Sequence, residues 1–180
     1  MKQPFDFWDK NAQLSYDKGN VRIYTLNRED YLFVDQTLYA SSTETSWYIR
    51  NILLPAKGNV LEIGLGLGCA SKIMLSNPKL EKILTIEKNP YVIAAFGSPM
   101  PRHKIVQADI NEWLAGVPKE PRYDFIFVDH YTNQDEDTFE ELRSLKSNLK
   151  KILKKQGKII FWYDNNLAPE EKKAIKSLWV

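Results

Sequence analysis

The chain has 180 residues, of which 43% are hydrophobic and 27% are charged, and its formal net charge is +2. This length favours one domain, and the near-neutral charge excludes the generally basic surface of many nucleic-acid-binding proteins. The single cysteine excludes an intramolecular disulfide, and with only two histidines the sequence predicts no metal site. No apolar run reaches the length of a membrane span and the start lacks a signal-peptide pattern, so we expect a cytoplasmic protein with no membrane contact.

The N-terminal third, residues 1–58, is predicted to cover the substrate side of this single domain. Residues 5–14 have the pattern of a short amphipathic helix, and two strands at 21–26 and 31–35 are joined by a polar turn, which is typical of a β-hairpin. A helix is predicted over residues 43–54, because a Ser/Thr start precedes a periodic apolar stretch.

Residues 59–180 alternate apolar strands with helices and are predicted to form the core. The predicted strands are 59–64, 82–87, 104–109, 123–129 and 158–163, and the predicted helices are 69–76, 90–96, 135–155 and 169–178. The longest helix is expected to stop at Gly157. Strands that are apolar on both faces form parallel sheets covered by helices. The sequence therefore predicts an α/β fold with a Rossmann-like parallel sheet of about five strands, preceded by the hairpin.

The turn after the first core strand carries three glycines, Gly64, Gly66 and Gly68, with Glu62 just before them. Glycines in such a turn let the backbone approach a ligand closely and present amide groups to it, although they also serve tight turns without a ligand. The spacing argues against NAD, because the third glycine of a dinucleotide fingerprint would fall at Cys69. An acid at position 62 suits an amine-bearing ligand better than a pyrophosphate.

Three further core strands end in carboxylates, and such strand ends are where ligands bind in parallel sheets. Glu87 follows the glycines at roughly the distance at which an acid takes up ribose hydroxyls. Asp109, followed by the apolar Ile110, suits an adenine amino group or the cap of the next helix. Asp129 lies at the expected switch point of the strand order. Together with the glycine loop, these carboxylates predict a nucleoside site.

The glycine motif and these acids resemble the successive motifs of class I S-adenosylmethionine-dependent methyltransferases, over about residues 59–164. The resemblance implies S-adenosylmethionine as cofactor, with its methionine part along the glycine loop, Glu87 on the ribose and Asp109 beside adenine. It also implies that Glu62 helps to organise the loop and the methionine ammonium. The cofactor-binding residues implied in this way are Glu62, Gly64, Leu65, Gly66, Gly68, Glu87, Lys88, Asp109, Ile110 and Asp129.

The segments Glu44–Tyr48 and Val128–Tyr131 resemble parts of the guanidinoacetate-type N-methyltransferases. In that family two acids grip and deprotonate the nucleophilic nitrogen, which implies the same role for Glu44 and Asp129, with Tyr131 as a further candidate for orienting the amine. This resemblance favours a methyltransferase that acts on a small amine or guanidino substrate.

The hairpin and the segment Val34–Tyr39 resemble spermidine synthases, which also have an acid at the position of Asp129. Two differences count against aminopropyl transfer. Leu67 stands where their glycine loop has Asp, and Thr132 stands where they have a second acid. A spermidine synthase-like aminopropyltransferase is therefore the alternative to a methyltransferase.

A third alternative is a noncatalytic module that binds S-adenosylmethionine or serves assembly. Methyltransferase sheets usually continue with two more strands, whereas residues 165–180 suffice for one helix, so the C-terminal strands of the usual sheet are missing. The fifth strand is then an exposed edge at which a homodimer can form. We expect a small-molecule substrate and no nucleic-acid partner.

Overall fold

The computed structural model describes residues 11–98, 100–131, 136–164 and 166–180, without the side chains of residues 136 and 137. These residues form two sheets, of which the first is antiparallel and the second parallel. Among the described helices, none is long and apolar enough to cross a membrane.

The N-terminal sheet has four antiparallel strands in the order β1-β2-β3-β4. These strands are β1 (Gln13–Lys18), β2 (Val21–Leu26), β3 (Glu29–Val34) and β4 (Thr37–Ser41). The predicted hairpin is confirmed as β2–β3, and its turn places Asn27 and Arg28 at φ of 53° and 70°. Two consecutive residues at positive φ are typical of type I′ turns, whose twist matches that of the paired strands.

Strands β1 and β4 were not predicted, because both are short and largely exposed and therefore lack a clear apolar alternation. Residues 5–10 of the predicted amphipathic helix lie outside the described residues. The end of that prediction is wrong, since Gln13 and Leu14 pair with Thr25 and Tyr24 of β2.

The predicted helix over residues 43–54 is shorter in the structure. A 3₁₀ turn (Ser42–Glu44) leads into helix α1 (Thr45–Asn51). Beyond this end, the Asn77 side-chain amide donates hydrogen bonds to the carbonyls of Leu53 and Ala56 at 2.7 and 2.8 Å. A distant side chain thus satisfies backbone groups that continued helix would otherwise satisfy.

The parallel sheet has five strands in the order β7-β6-β5-β8-β9, which confirms the predicted Rossmann-like α/β fold. Its strands are β5 (Gly58–Ile63), β6 (Leu80–Glu87), β7 (His103–Gln107), β8 (Tyr123–Val128) and β9 (Leu153–Phe161). The helices are α2 (Cys69–Leu75), α3 (Pro90–Phe96), α4 (Ile110–Gly116), α5 (Glu136–Lys150) and α6 (Pro169–Lys176). The strand order reverses between β5 and β8, so the switch point lies at their carboxyl ends.

The predicted helix over residues 135–155 is too long. Helix α5 ends at Lys150, and β9 begins at Leu153, so Gly157 lies inside a strand and is not a helix stop. The carbonyl of Ile152 accepts hydrogen bonds from the N–H groups of Arg122 and Tyr123, which draws the chain into the sheet. Ile152 and Leu153 are buried, and their apolar character fits a helical stripe as well as a strand.

Strand β9 lies at the edge of the parallel sheet, but this edge is partly covered. Val180 and Ile159 exchange both backbone hydrogen bonds, at 3.2 and 3.0 Å. The indole N–H of Trp179 donates to the carbonyl of Phe161 at 3.0 Å. Within the described residues, the expected exposed edge is therefore closed along this stretch by the segment that follows α6.

Candidate functional site

A cleft lies at the carboxyl ends of β5, β6, β7 and β8, with β4 and α1 on its other side. Nine predicted site residues line it together: Gly64, Leu65, Gly66, Glu87, Lys88, Asp109, Ile110, Asp129 and Tyr131. Glu62, Gly68 and Glu44 do not line the cleft itself. Tyr39 of β4 and Tyr48 of α1 also line it, so the N-terminal sheet and the helix after it close one side of the site.

Gly64 allows two strand ends to meet at the base of the cleft. Its φ is +90°, and a Cβ atom there would lie 2.0 Å from the carbonyl oxygen of Asp129. The backbone N–H of Asp129 donates to Ile63 at 2.8 Å, which fixes this approach. A side chain at position 64 would therefore displace the backbone that carries Asp129.

Replacing Gly64 with Ala is expected to destabilise the protein by about 3 kcal/mol or more, from the left-handed φ and the clash with Asp129 together. Gly116 is the matched control, because it ends α4 and a Cβ there meets nothing within 4 Å. Gly116→Ala should be neutral or slightly stabilising. Urea denaturation compares the two variants, and equal midpoints would show that the backbone contact at Gly64 does not limit the fold.

Glu87 joins the glycine loop to the start of helix α3. One carboxylate oxygen accepts the N–H of Leu65 at 2.9 Å and the other accepts the N–H of Asn89 at 2.7 Å. Each oxygen of an ionised carboxylate has two acceptor positions, so both keep one for a ligand hydroxyl. Glu87 is 9% exposed. The carboxylate thus holds the loop in place and still faces the cleft.

Asp109 caps helix α4. Its Oδ1 accepts the N–H of Asn111 at 2.8 Å, which confirms the capping alternative. The same side chain lines the cleft beside the buried Ile110. An adenine contact at this position stays a prediction.

Glu62 lies fully buried beneath the glycine loop. Its Oε2 accepts hydrogen bonds from the hydroxyls of Ser71 in α2 and Thr85 in β6. Loss of solvation raises the pKa of Glu62 to about 7, although both hydroxyls oppose this shift, and the nearby Glu87 adds to it. Because Thr85 gives its only proton to Glu62, its oxygen accepts the N–H of His103 Nε2, 2.7 Å away. Glu62 therefore supports the loop from below, away from the cleft surface.

The ionisation of Glu62 makes stability depend on pH. Its pKa is about 7 in the folded protein against an ordinary value of 4.5, so between these values the folded state holds a proton that the unfolded state has lost. This contribution to stability is complete below the lower value and is lost as the pH rises to about 7, at about 1.4 kcal/mol per unit of pKa difference.

Glu62→Gln keeps an acceptor oxygen for both hydroxyls but removes the titration. The variant is therefore expected to lose less unfolding free energy than the wild type as the pH rises through this range. Chemical denaturation at a series of pH values measures the difference. Parallel pH profiles would contradict a raised pKa at Glu62.

Glu44, Tyr48 and Asp129 form a group, called the acidic trio below, on the α1 side of the cleft. The Tyr48 hydroxyl lies 2.8 Å from a Glu44 oxygen and 3.0 Å from a carboxylate oxygen of Asp129. A phenol has one proton, so it donates to only one of these carboxyl groups at a time. Both contacts are hydrogen bonds at once only when the other carboxyl group is protonated.

The environment of the trio favours a state in which one of its two carboxyl groups is protonated. Burial, and then the nearby Asp164, raise the pKa of Glu44 to about 7 against the opposing hydrogen bond from Tyr48. Burial and the negative charge of Glu44 hold the pKa of Asp129 well above its usual range, although the Tyr48 hydroxyl opposes this shift. A cation placed beside the trio would offset the repulsion between the two carboxylates and allow both to ionise.

Two other polar side chains of the cleft are engaged differently. The Tyr131 hydroxyl donates to the carbonyl of Trp162, so its proton is directed away from the acidic trio. Burial, and then the charge of Lys88, lower the pKa of His130 to about 4, so this imidazole is neutral near pH 7. Among these described side chains, the acidic trio is therefore the candidate proton acceptor of the cleft.

Tyr48 was not predicted as a site residue. The feature that could have indicated it is its spacing from Glu44, because residues four apart lie on one face of a helix. The approach of Asp129 to both residues depends on how α1 lies against β8, where Tyr48 packs on Phe127 with ring centroids 6.0 Å apart. Local sequence does not encode that placement.

No family model and no curated protein sequence matches the chain. Solved structures do match it. A spermidine synthase from Thermotoga maritima superposes with a TM-score of 0.68 at 18% identity, over 92% of this chain and 64% of that one. A spermidine synthase in complex with the transition-state analogue AdoDATO gives a TM-score of 0.67 at 20% identity, with the same two coverages. The chain has the fold of a spermidine synthase.

This fold confirms the resemblance to spermidine synthases expected from the N-terminal hairpin and the segment Val34–Tyr39. The structural match covers 92% of the chain, which is a larger share than residues 59–180 make up. The match therefore extends into the N-terminal sheet. The chain spans about 64% of the length of the two synthases. Of the two positions that differ, Leu67 is 5% exposed and packs against the N-terminal sheet, and Thr132 lies outside the described residues.

Proposed function

We propose that this protein transfers a methyl group from S-adenosylmethionine to the nitrogen of a small amine or guanidino compound. The observation that carries the proposal is the acidic trio of Glu44, Tyr48 and Asp129, which meets the cleft formed by the glycine loop and Glu87. Such a site offers negative charge and a proton acceptor beside a nucleoside-sized cleft.

The donor side of the cleft fits a nucleoside. Glu87 retains one acceptor position on each oxygen, which is what two neighbouring ribose hydroxyls require. Gly66, at φ of +50°, keeps the loop free of side-chain bulk beside the cleft. When bound, S-adenosylmethionine supplies a sulfonium methyl that leaves its bonding electrons on sulfur, so the acceptor nitrogen must present a lone pair and lose a proton.

The acceptor side of the cleft supplies that proton acceptor. An ammonium or guanidinium group in the cleft beside Asp129 and Tyr48 is favoured by the charges of Asp129 and of Glu44, which contacts Tyr48. Its positive charge favours the state in which both carboxyl groups have released their proton to solvent. Asp129 then takes the proton from the nitrogen, and the Tyr48 hydroxyl stabilises whichever carboxyl group is ionised. A base whose pKa is held above its usual range suits this step, because it retains the proton that it receives.

Aminopropyl transfer is the second candidate, and the extent of the fold likeness favours it. The two spermidine synthases match this chain across its N-terminal sheet as well as its core. The buried Leu67 opposes it, because an apolar side chain there provides no charge to anchor an aminopropyl ammonium.

One assay distinguishes the candidates. The protein is incubated with S-adenosylmethionine or with its decarboxylated form, each against a panel of amines, guanidines and polyamines, and the products are weighed by mass spectrometry. A methyl increment supports the proposal, and an aminopropyl increment replaces it with the second candidate. Binding of S-adenosylhomocysteine without any product would indicate a noncatalytic binding module.

A further inference from the structure

A second pocket lies at the opposite edge of the parallel sheet, where strands β5 to β8 begin. Its charged residues are Lys82, Arg102, Lys104, Glu120 and Arg122. Four cations against one carboxylate give this pocket a larger positive excess than the whole chain, whose formal net charge is +2. The lining of this pocket is therefore predominantly positive.

The two lysines lie on one face of the sheet. Lys82 pairs in register with Asn59, and Lys104 pairs with Leu84, two residues further along the strand that carries Lys82. Because side chains two residues apart point to the same face, Lys82 and Lys104 are diagonal neighbours, about 7–8 Å apart at their Cα atoms. Both are exposed, and within the described residues neither lies in an ion pair.

The two arginines are fixed in place. Arg102 has φ of +65°, and its guanidinium donates to the carbonyls of Leu80 and Leu75 at 2.7 and 3.1 Å. These neutral partners orient the guanidinium without cancelling its charge. Arg122 pairs with Glu120 at 2.6 Å through Nη2. Asp124, on the strand that follows Arg122, is paired with Lys154 at 2.7 Å.

One buried donor at this pocket has no hydrogen-bond partner. In the described part of the chain, Nε–H of Arg122 is buried and meets no acceptor. Arg122 Nε–H is a donor in every protonation state, and a buried donor without an acceptor is costly. An anionic oxygen in the pocket would supply that acceptor.

We propose that this pocket binds a small molecule that carries several linked phosphate groups. Separated cations on a rigid sheet, together with guanidinium groups whose planar forks match phosphate oxygens, favour an extended polyanion over a single small ion. Lys82 lies five residues before Glu87 on β6, so the pocket is roughly 16 Å from the transfer cleft at the usual rise of a strand. Binding at this pocket can therefore be tested independently of the proposed transfer reaction.

Calorimetry with the full chain tests the site, with inorganic tripolyphosphate as the probe. We expect the wild type to bind it with a definite stoichiometry, and more tightly than pyrophosphate or orthophosphate. Lys82→Ala/Lys104→Ala should weaken binding about tenfold or more, in line with the loss of two charge-assisted contacts. The control, Lys150→Ala/Lys151→Ala, removes the same charge from the exposed end of α5 and should leave binding nearly unchanged.

The outcomes separate a built site from general attraction between charges. Absence of binding by the wild type, or equal weakening in both double variants, would overturn the proposal. Displacement of tripolyphosphate by S-adenosylhomocysteine would also overturn it, because the probe would then lie in the transfer cleft. Thermal unfolding of each variant verifies that the exposed lysine substitutions leave the fold intact.

Discussion

Asp129→Asn is expected to lower the rate of group transfer by about 10²- to 10⁴-fold, the usual contribution of a positioned general base. In the wild type the Tyr48 hydroxyl lies 3.0 Å from the Asp129 carboxylate, and the amide oxygen of the variant can accept the same hydrogen bond. The trio therefore keeps its geometry, but position 129 can no longer accept a proton. Binding of S-adenosylhomocysteine should be retained. Steady-state kinetics together with calorimetry measure both quantities.

Asp124→Asn is the matched control. Asp124 lies near the start of β8, whereas Asp129 directly follows the end of the same strand. It removes a salt bridge with Lys154 and should leave turnover at the wild-type level. Unchanged turnover in Asp129→Asn would contradict the role of Asp129. If the loss of rate came with an equal loss of binding, the residue would serve the donor site instead.

The pH profile gives an independent measure of the same group. The charge of Glu44 is the second cause, after burial, of the raised pKa of Asp129. Glu44→Gln removes this charge, so the pKa of Asp129 should fall and the acid limb of kcat/KM should move to lower pH. A limb that stays in place would indicate that the two carboxyl groups do not interact.

The core was predictable because its strands are continuous apolar runs that end at chemically distinct residues. Helix α3 begins at Pro90 and ends at Phe96 as predicted, since Asn89 caps its first turn and Pro90 fits the first helical position. The boundary between α5 and β9 was not predictable, because Ile152 and Leu153 are apolar in both settings. Only the pairing of Ile152 with Arg122 and Tyr123, 30 and 29 residues earlier, decides it.

The candidate site likewise contains residues that sequence predicts and contacts that it does not. Gly64, Glu87 and Asp109 are found from sequence because each lies at a strand end, and strand ends of a parallel sheet meet at one edge. The contact between Tyr48 and Asp129 joins residues separated by 81 positions, and nothing in either local segment specifies it. The burial of Glu62 could not be predicted from sequence either. A carboxylate before a glycine loop suggests a ligand contact, whereas in the structure the hydroxyls of Ser71 and Thr85 donate to it.

Glu87→Ala is expected to weaken the binding of S-adenosylhomocysteine by about a hundredfold or more, so that calorimetry at ordinary concentrations no longer detects it. The variant loses two hydrogen bonds to a charged acceptor, from Leu65 and Asn89, each worth about 1.5–3 kcal/mol. The glycine loop then has no anchor to the end of β6, and the predicted acceptor of the ribose hydroxyls is gone. The loss should appear as weaker affinity, and as a smaller rise in the unfolding temperature on adding the ligand.

Glu81→Ala removes the same side chain from an exposed position near the start of the same strand, so it is the control for a change in net charge. It should bind S-adenosylhomocysteine as the wild type does. Equal binding by the two variants would show that neither a ribose contact nor the anchoring of the loop by Glu87 contributes to ligand binding. If the wild type itself binds no S-adenosylhomocysteine, the cleft is not a nucleoside site, and the acidic trio would then have to serve a cationic ligand without a sulfonium donor.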